Sequence, residues 1–317
     1  MMLFSLPPLR IARLLLELRP VGPLHFPLEE RGNALRGAFG TVFQRSVCDQ
    51  DCTGTRTCAK REFCEYARIF EPRWGDGPKL GSEAPRPFVF RPPLSSDAEF
   101  GPHRPILFEV RLFGEAVSAA EQFIRAFQTL EYTGLYGQSV CLESVNFLDW
   151  MGISHGSPVR SGSIANSPPP LQLVLDEPCS TSAPSSSEIT LDFSTPTLLK
   201  HGKRVLRVPT FAGLINRVAD RISDLCELYE KFEWQADFKL IAAAAASTTT
   251  VDWEGRWVEV PRTSTHTGQQ MPMAGFKGTV VFDGVDPQLW PLLLIGQEIH
   301  AGSHAVWGHG WYRVRAG

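Results

Sequence analysis

The chain of 317 residues has no apolar stretch long enough to span the ~30 Å hydrocarbon core of a bilayer, which argues against a helical membrane protein. Its first segment, 1–20, is apolar but is broken by Pro7, Pro8, Arg10, Arg13, Glu17 and Arg19. It lacks a small-residue cleavage site, so no secretory signal is expected. Excess positive charge is also missing: 31 Lys and Arg stand against 34 Asp and Glu, for a net charge of −3. A uniformly basic coat is thereby excluded, and any binding of a polyanion has to come from local patches. The signatures of nucleotide enzymes are lacking too. No Gly-Lys-Ser/Thr closes a glycine loop, and the compact glycine loop near the C-terminus runs into an expected strand, which excludes a dinucleotide fingerprint. Cysteine is sparse, seven in all, and a cytoplasmic location without a disulfide framework is expected.

What is present is ordinary in bulk. Hydrophobic residues make up 43% and charged residues 21%, in a chain long enough for two domains with full cores. Residues 10–18, rich in Leu and Ile, read as a buried strand. A turn over 20–27 leads to a helix from about 33 to 47, with Leu35, Ala38, Phe39, Val42, Phe43 and Ser46 on one face. Residues 87–91 and 106–113 read as strands. Val117, Ala120, Phe123, Ile124, Phe127 and Leu130 mark an amphipathic helix, and 139–148 a closing strand. This order is the split βαβ pattern of a ferredoxin-like domain.

Ser, Gly and Pro dominate 155–170 and 178–187, a linker and a flexible loop. The same order then recurs. Residues 189–199 read as a strand, and Phe211, Leu214, Ile215, Val218, Ile222, Leu225 and Tyr229 as a helical face. Residues 238–246 carry an alanine run that favours a helix locally, but the β-branched exit at 247–251 favours a strand, and a strand is assigned. An added hairpin arm at 253–261, a strand at 276–282, a helix at 287–299 and a strand at 311–314 complete the chain. The expected fold is α+β, two tandem ferredoxin-like (βαββαβ) domains. The first covers 1–155 with a Cys-rich insertion at 48–85, a linker follows at 156–188, and the second covers 189–317. Element order alone carries the tandem, since the sequence shows no internal repeat.

Four of the cysteines, Cys48, Cys52, Cys58 and Cys64, crowd into one segment at spacings of four, six and six. In a reducing compartment such crowding favours a metal over disulfides, and tetrahedral thiolate zinc accepts these spacings. An iron–sulfur cluster and free thiols remain open alternatives. Cys141, Cys179 and Cys226 are isolated and read as buried or incidental.

The most informative stretch is Gly302-Ser303-His304-Ala305-Val306-Trp307-Gly308-His309-Gly310, preceded by His300. Glycines let the backbone take positive φ and approach a large charged ligand, and successive N–H groups in such a loop can cradle phosphate. Beside imidazoles this suits a polyphosphate such as RNA. The plain alternative is a helix C-cap and a tight turn into an edge strand.

Four blocks in this order resemble the CRISPR repeat-processing endoribonucleases of the RAMP superfamily, in particular their cysteine-bearing subgroup. They are Gly32-Asn33-Ala34-Leu35-Arg36-Gly37-Ala38-Phe39-Gly40; the cysteine segment ending Cys64-Glu65-Tyr66-Ala67-Arg68-Ile69-Phe70-Glu71-Pro72; Pro87-Phe88-Val89-Phe90 with Leu112-Phe113-Gly114 and Gly134-Leu135-Tyr136-Gly137; and Gly275-Phe276-Lys277-Gly278 with Leu292-Leu293-Leu294-Ile295-Gly296, His300 and the glycine loop. The resemblance implies metal-independent cleavage of a CRISPR precursor transcript within its repeats. The ribose 2′-OH attacks the adjacent phosphorus, leaving a 2′,3′-cyclic phosphate and a 5′-OH. The implied partner is CRISPR repeat RNA or crRNA, with subunits of a CRISPR effector complex as a further one; the zinc expected from the cysteine spacing would be structural, and no cofactor is expected for catalysis.

Imidazole suits either proton role in that reaction. His300 fits the family's histidine before the glycine loop, with a helix-end histidine as the plain alternative. His25 lies between the first strand and first helix, close to where members keep an acting histidine, although theirs more often sits later. Arg36, Gly302, His304, Gly308, His309, Gly310 and the basic run Lys200-His201-Gly202-Lys203-Arg204-Val205-Leu206-Arg207 are the expected RNA contacts, chiefly Lys203, Arg204 and Arg207. His266 reads as an exposed loop residue able to touch RNA. Trp307 and Tyr312 suit base stacking or core packing equally. Two rival readings stand beside the enzyme: a crRNA-binding RAMP subunit that does not cleave, and a zinc-stabilised interaction protein with no RNA role.

Overall fold

The computed structural model describes residues 3–48, 55, 57–75, 77–157, 159–160, 163–164, 173, 175, 186–261 and 273–316. The chain divides into two compact units, Arg10–Leu173 and a second that joins Met1–Leu9 to Val174–Gly317. The first unit runs β1 (Ile11–Pro20), α1 (Arg31–Val47), β2 (Phe88–Arg91), β3 (Ile106–Phe113), α2 (Ala120–Gln128) and β4 (Val140–Leu148). Its antiparallel sheet has the order β2-β3-β1-β4, extended beyond β4 by Val159–Arg160 and Ser163–Ile164. The second unit runs β5 (Ile189–Thr197), α3 (Phe211–Tyr229), α4 (Phe238–Ala246), β6 (Thr249–Val260), β7 (Met273–Asp283), α5 (Trp290–Ile299) and β8 (Tyr312–Ala316), with the sheet order β6-β7-β5-β8. In each unit the first strand lies between the third and the fourth, so the ferredoxin-like topology occurs twice.

Phenylalanine fills the first core. Phe39 and Phe43 on α1 are fully buried, and Phe39 stacks on Phe123 of α2 at 4.3 Å between ring centroids. Phe88 and Phe90 of β2 meet Phe39 edge-on, which ties the strand to both helices. Gly40 of α1 is required here: a Cβ would stand 2.1 Å from the ring of Phe70. In the second unit Leu191 and Phe193 of β5, Val280 and Phe282 of β7 and Leu214 and Val218 of α3 are fully buried. The hydroxyl of the buried Tyr312 donates to the Leu293 carbonyl at 2.8 Å, joining β8 to α5.

Three expectations are corrected. Residues 238–246 form a helix and not a strand, because the Asp237 carboxylate accepts from the N–H groups of Lys239 and Leu240 and nucleates it, and the alanine run then propagates it. The β-branched exit belongs to the strand that follows. Residues 253–261 are not an added arm: β6 is the second strand of the fold, paired from Thr249↔Asp283 to Val260↔Met273. The N-terminal segment does not join the domain that follows it in sequence. The Trp234 indole N–H donates to Ser5 O at 2.8 Å, and Phe4 packs edge-on against the same ring, so the first residues complete the second unit.

Candidate functional site

The glycine loop closes on its own unit. The N–H groups of Ala301, Ser303 and Gly310 donate to the carbonyls of Gly310, Leu198 and Pro196, and those of Trp307 and Gly308 donate to His304 and Ala305. These five donors serve the loop and the end of β5, where an anion cradle was expected. Gly302 and Gly310 are needed for close approach: at φ 80° and 75°, their Cβ atoms would lie 2.4 Å from Leu198 O and 1.9 Å from Ala301 O. Replacing Gly310 with Val would therefore disturb the fold as well as any ligand contact. Gly308, at φ 79°, ends the short turn Ala305–Trp307.

His300 ends α5 at φ 63° with no exposed surface. Its Nδ1 donates to the His309 carbonyl at 3.0 Å, and its ring stacks parallel to Trp311. His300 is thus a buried strut of the loop, its Nδ1 engaged by loop backbone. His309 is likewise buried, and burial, then the neighbouring charge of His304, pulls its pKa down to about 3. The half-buried His304 holds a left-handed backbone at φ 66°, edge-on to Trp307 and His309. Trp307 packs against Val258, Val260 and Met273, so core packing takes its ring.

An acid sensitivity follows from His309. Below pH 6.5 the unfolded ring binds a proton that the folded ring refuses down to about 3. Stability is complete above that window and falls as pH drops through it, by at most about 1.4 kcal/mol per pH unit. His309→Gln should flatten the acid limb of the urea midpoint plotted against pH, and an unaltered slope would contradict this placement.

The basic run forms a hairpin, Leu199–His201 against Arg204–Leu206, turned at Gly202 with φ 58°. Lys200, His201, Lys203 and Arg204 are exposed on it, and Arg207 is exposed just after it. The Arg207 guanidinium lies 4.4 Å from the centroid of the Trp257 ring, a cation–π contact that fixes one end of the basic face. A cleft of about 260 Å³ runs beside the hairpin, lined among others by Lys200, His201, Asn216, Arg217 and Phe238.

In the first unit, Leu24–His25 pairs with Glu99–Phe100 in a two-stranded ribbon. His25 Nδ1 and Glu99 Oε1 are 2.6 Å apart, with the side chains 66% and 71% exposed. The carboxylate accepts, so Nδ1 donates, and Nε2 is the ring nitrogen left on the far side of the contact. Arg31 holds the ribbon in place. This fully buried guanidinium donates to the carbonyls of Phe26 (2.9 Å), Pro93 (2.8 Å), Ser95 (2.8 Å) and Asp97 (2.5 Å). It also lies 5.2 Å from the Phe100 ring centroid. A cation at the first residue of a helix opposes the macrodipole, and the carbonyl cradle offsets that cost. Sequence reading missed both Glu99 and Arg31. Glu99 is 74 residues from its partner in sequence, and an isolated arginine reads as surface charge.

The remaining candidates scatter. Arg36 covers the Phe70 ring at 4.5 Å on the flank of α1. Among the described residues no three His, Cys, Asp or Glu side chains gather to hold a metal ion, although Cys48, Cys58 and Cys64 are described. Cys52 and His266 lie outside the described residues. Cys226 is a buried thiol whose pKa is pushed up to about 12 by burial, in keeping with an inert core residue.

Residues 9–158 match the family model of the N-terminal domain AF_1859_N, and residues 191–312 match that of the CRISPR-associated endoribonuclease Cas6. The endoribonuclease family model thus covers the second unit's sheet and helices, from the first of its strands to the start of the last. An uncharacterized protein of Archaeoglobus fulgidus is similar to this chain at 24% identity over 294 residues, 90% of this chain and 91% of that one. Among solved structures, a Cas6 product complex matches 96% of this chain and 100% of its own at TM-score 0.56 and 17% identity. A partial Cas6-RT-Cas1–Cas2 complex matches 99% of this chain and 47% of its own at TM-score 0.60 and 14% identity. These likenesses establish the fold. Within the Cas6 match lie the basic hairpin and the whole glycine loop; within the N-terminal match lies the His25–Glu99 pair. No helix among the described residues is long and apolar enough to cross a membrane.

Proposed function

We propose that this protein cuts CRISPR precursor transcripts within their repeats by metal-independent transesterification, with His25 as the proton-transferring group. The observation that carries this reading is the exposed His25–Glu99 pair, an imidazole with one nitrogen held by a carboxylate and the other facing away from it. Nε2 takes the proton of the ribose 2′-OH, whose oxygen forms a bond to the adjacent phosphorus. The bond from phosphorus to the 5′-oxygen breaks, and that oxygen takes up a proton. The products are a 2′,3′-cyclic phosphate and a 5′-OH, and Glu99 steadies the imidazolium formed on the way. Incubation with repeat RNA in EDTA, followed by analysis of the product ends, tests this reading.

The exposed hairpin is proposed to hold the RNA backbone, since Lys200, Lys203 and Arg204 on one two-stranded ribbon, with Arg207 next to its end, suit a chain of phosphates. Replacing both Lys203 and Arg204 with Ala should weaken repeat binding and reduce the slope of log affinity against log salt by about 1.4–1.8, the effect of two lost phosphate contacts. An unchanged slope would remove the hairpin from the interface. His304, half-buried in the glycine loop, is the loop side chain proposed to reach RNA.

The second reading, a crRNA-binding subunit that does not cleave, draws support from the burial of His300 and from the likeness to a Cas6 within a larger Cas assembly. One structural zinc on Cys48, Cys52, Cys58 and Cys64 is proposed from their crowding in the sequence, and metal analysis of the purified protein checks it.

A further inference from the structure

β6 is the edge of the second sheet: it pairs with β7 on one side and with no other strand among the described residues. Residues 249–256 are exposed along it, and Trp253 keeps 51% of its surface in solvent. Long exposed edges are templates for another strand, and proteins guard them with proline, lysine or a bulge. β6 contains neither proline nor lysine. Its register shift lies at Thr250/Asp252, which leaves 252–260 as a regular ladder.

The sequence of this edge is its own complement. Trp253-Glu254-Gly255-Arg256-Trp257 is symmetric about Gly255 in shape and opposite in charge. When two identical strands pair antiparallel about a two-fold axis at Gly255, Glu254 faces Arg256 of the second copy, and Arg256 faces its Glu254. Trp253 and Trp257 also face each other, twice, covering the exposed indole. The registers centred one residue away set Glu254 against Glu254 or Arg256 against Arg256, so charge selects the Gly255 register.

Two observations on the β7 side agree. Arg256 stands directly opposite Lys277, a like-charge pair that an acidic neighbour on the free side would offset. Gly255 stands opposite Gly278, and the Phe276 ring lies where a Cβ on Gly255 would be, so no side chain of β6 itself stands at the axis.

We propose that two copies of this chain join their β6 edges antiparallel about Gly255, fusing two four-stranded sheets into one of eight strands. The proposal is independent of the RNA chemistry above. Sedimentation equilibrium of the full chain without RNA tests it. The wild-type chain should form a dimer. Glu254→Arg alone and Arg256→Glu alone, each placing like charges opposite twice, should raise the dissociation constant roughly tenfold or more. The exchange of both, Glu254→Arg with Arg256→Glu, should restore it, which also shows that the single variants fold. A wild-type monomer, single variants that dimerise as well as wild type, or a double exchange that stays monomeric would each overturn the proposal. Loss of repeat RNA binding in single variants of a monomeric wild-type chain would assign the edge to RNA and overturn it equally.

Discussion

His25→Ala should bind repeat RNA nearly as wild type does and cleave it about 10²–10⁴ times more slowly in single turnover, the usual contribution of a general acid or base. The expectation rests on geometry. The imidazole is exposed, and its Nδ1 is held 2.6 Å from Glu99 Oε1. Glu99→Gln keeps the shape and the contact to Nδ1 but removes the carboxylate's charge, so its loss should be smaller than that of the alanine variant. Because the side chain does not lie on the basic hairpin, affinity and rate should separate. Equal losses in both would mean that His25 binds rather than reacts. A wild-type rate would pass the chemistry to another group, His304 being the remaining half-buried imidazole of the glycine loop.

Arg31→Met should have the largest effect on stability. Methionine fills much of the same volume but leaves the carbonyls of Phe26, Pro93, Ser95 and Asp97 without their donor. Each buried acceptor stranded in this way costs about 1–3 kcal/mol, and water entering the loop recovers part of it, so a loss of about 3 kcal/mol or more is expected. The urea midpoint should fall with little change in slope. Because the same carbonyls shape the 93–97 loop that leads into Glu99, the folded fraction should also lose kcat while KM holds. Arg31→Lys should rescue little, since an ammonium cannot reproduce a planar fork serving four carbonyls. Normal stability in Arg31→Met would show that the cradle is incidental.

The fold was largely legible because its signals are periodic. The Leu-rich β1, the face of α1 bearing Phe39 and Phe43, the α2 pattern around Phe123 and the long stripe from Phe211 to Tyr229 all announce their elements. What failed was local competition. At 238–246 the cap at Asp237 outweighed the β-branched residues, and those residues belonged to β6. The site was less legible. The glycine loop stood out, but the need for its glycines is met by close backbone packing, and its two most conspicuous histidines, His300 and His309, are inside. His25 was visible only as a lone imidazole. Its partner Glu99 and its support Arg31 come together through tertiary pairing between distant segments, which no spacing rule reveals.

The central claim is that this chain cleaves repeat RNA by internal 2′-OH attack. The most direct measurement is to incubate the purified protein with repeat RNA of its own genome in EDTA and determine the product ends. The account predicts a single cut within the repeat, a 2′,3′-cyclic phosphate on the upstream fragment and a 5′-OH on the downstream one, at a rate that EDTA leaves unchanged. RNA that is bound but stays intact, or that is cut only with added metal to leave a 5′-phosphate, would contradict it.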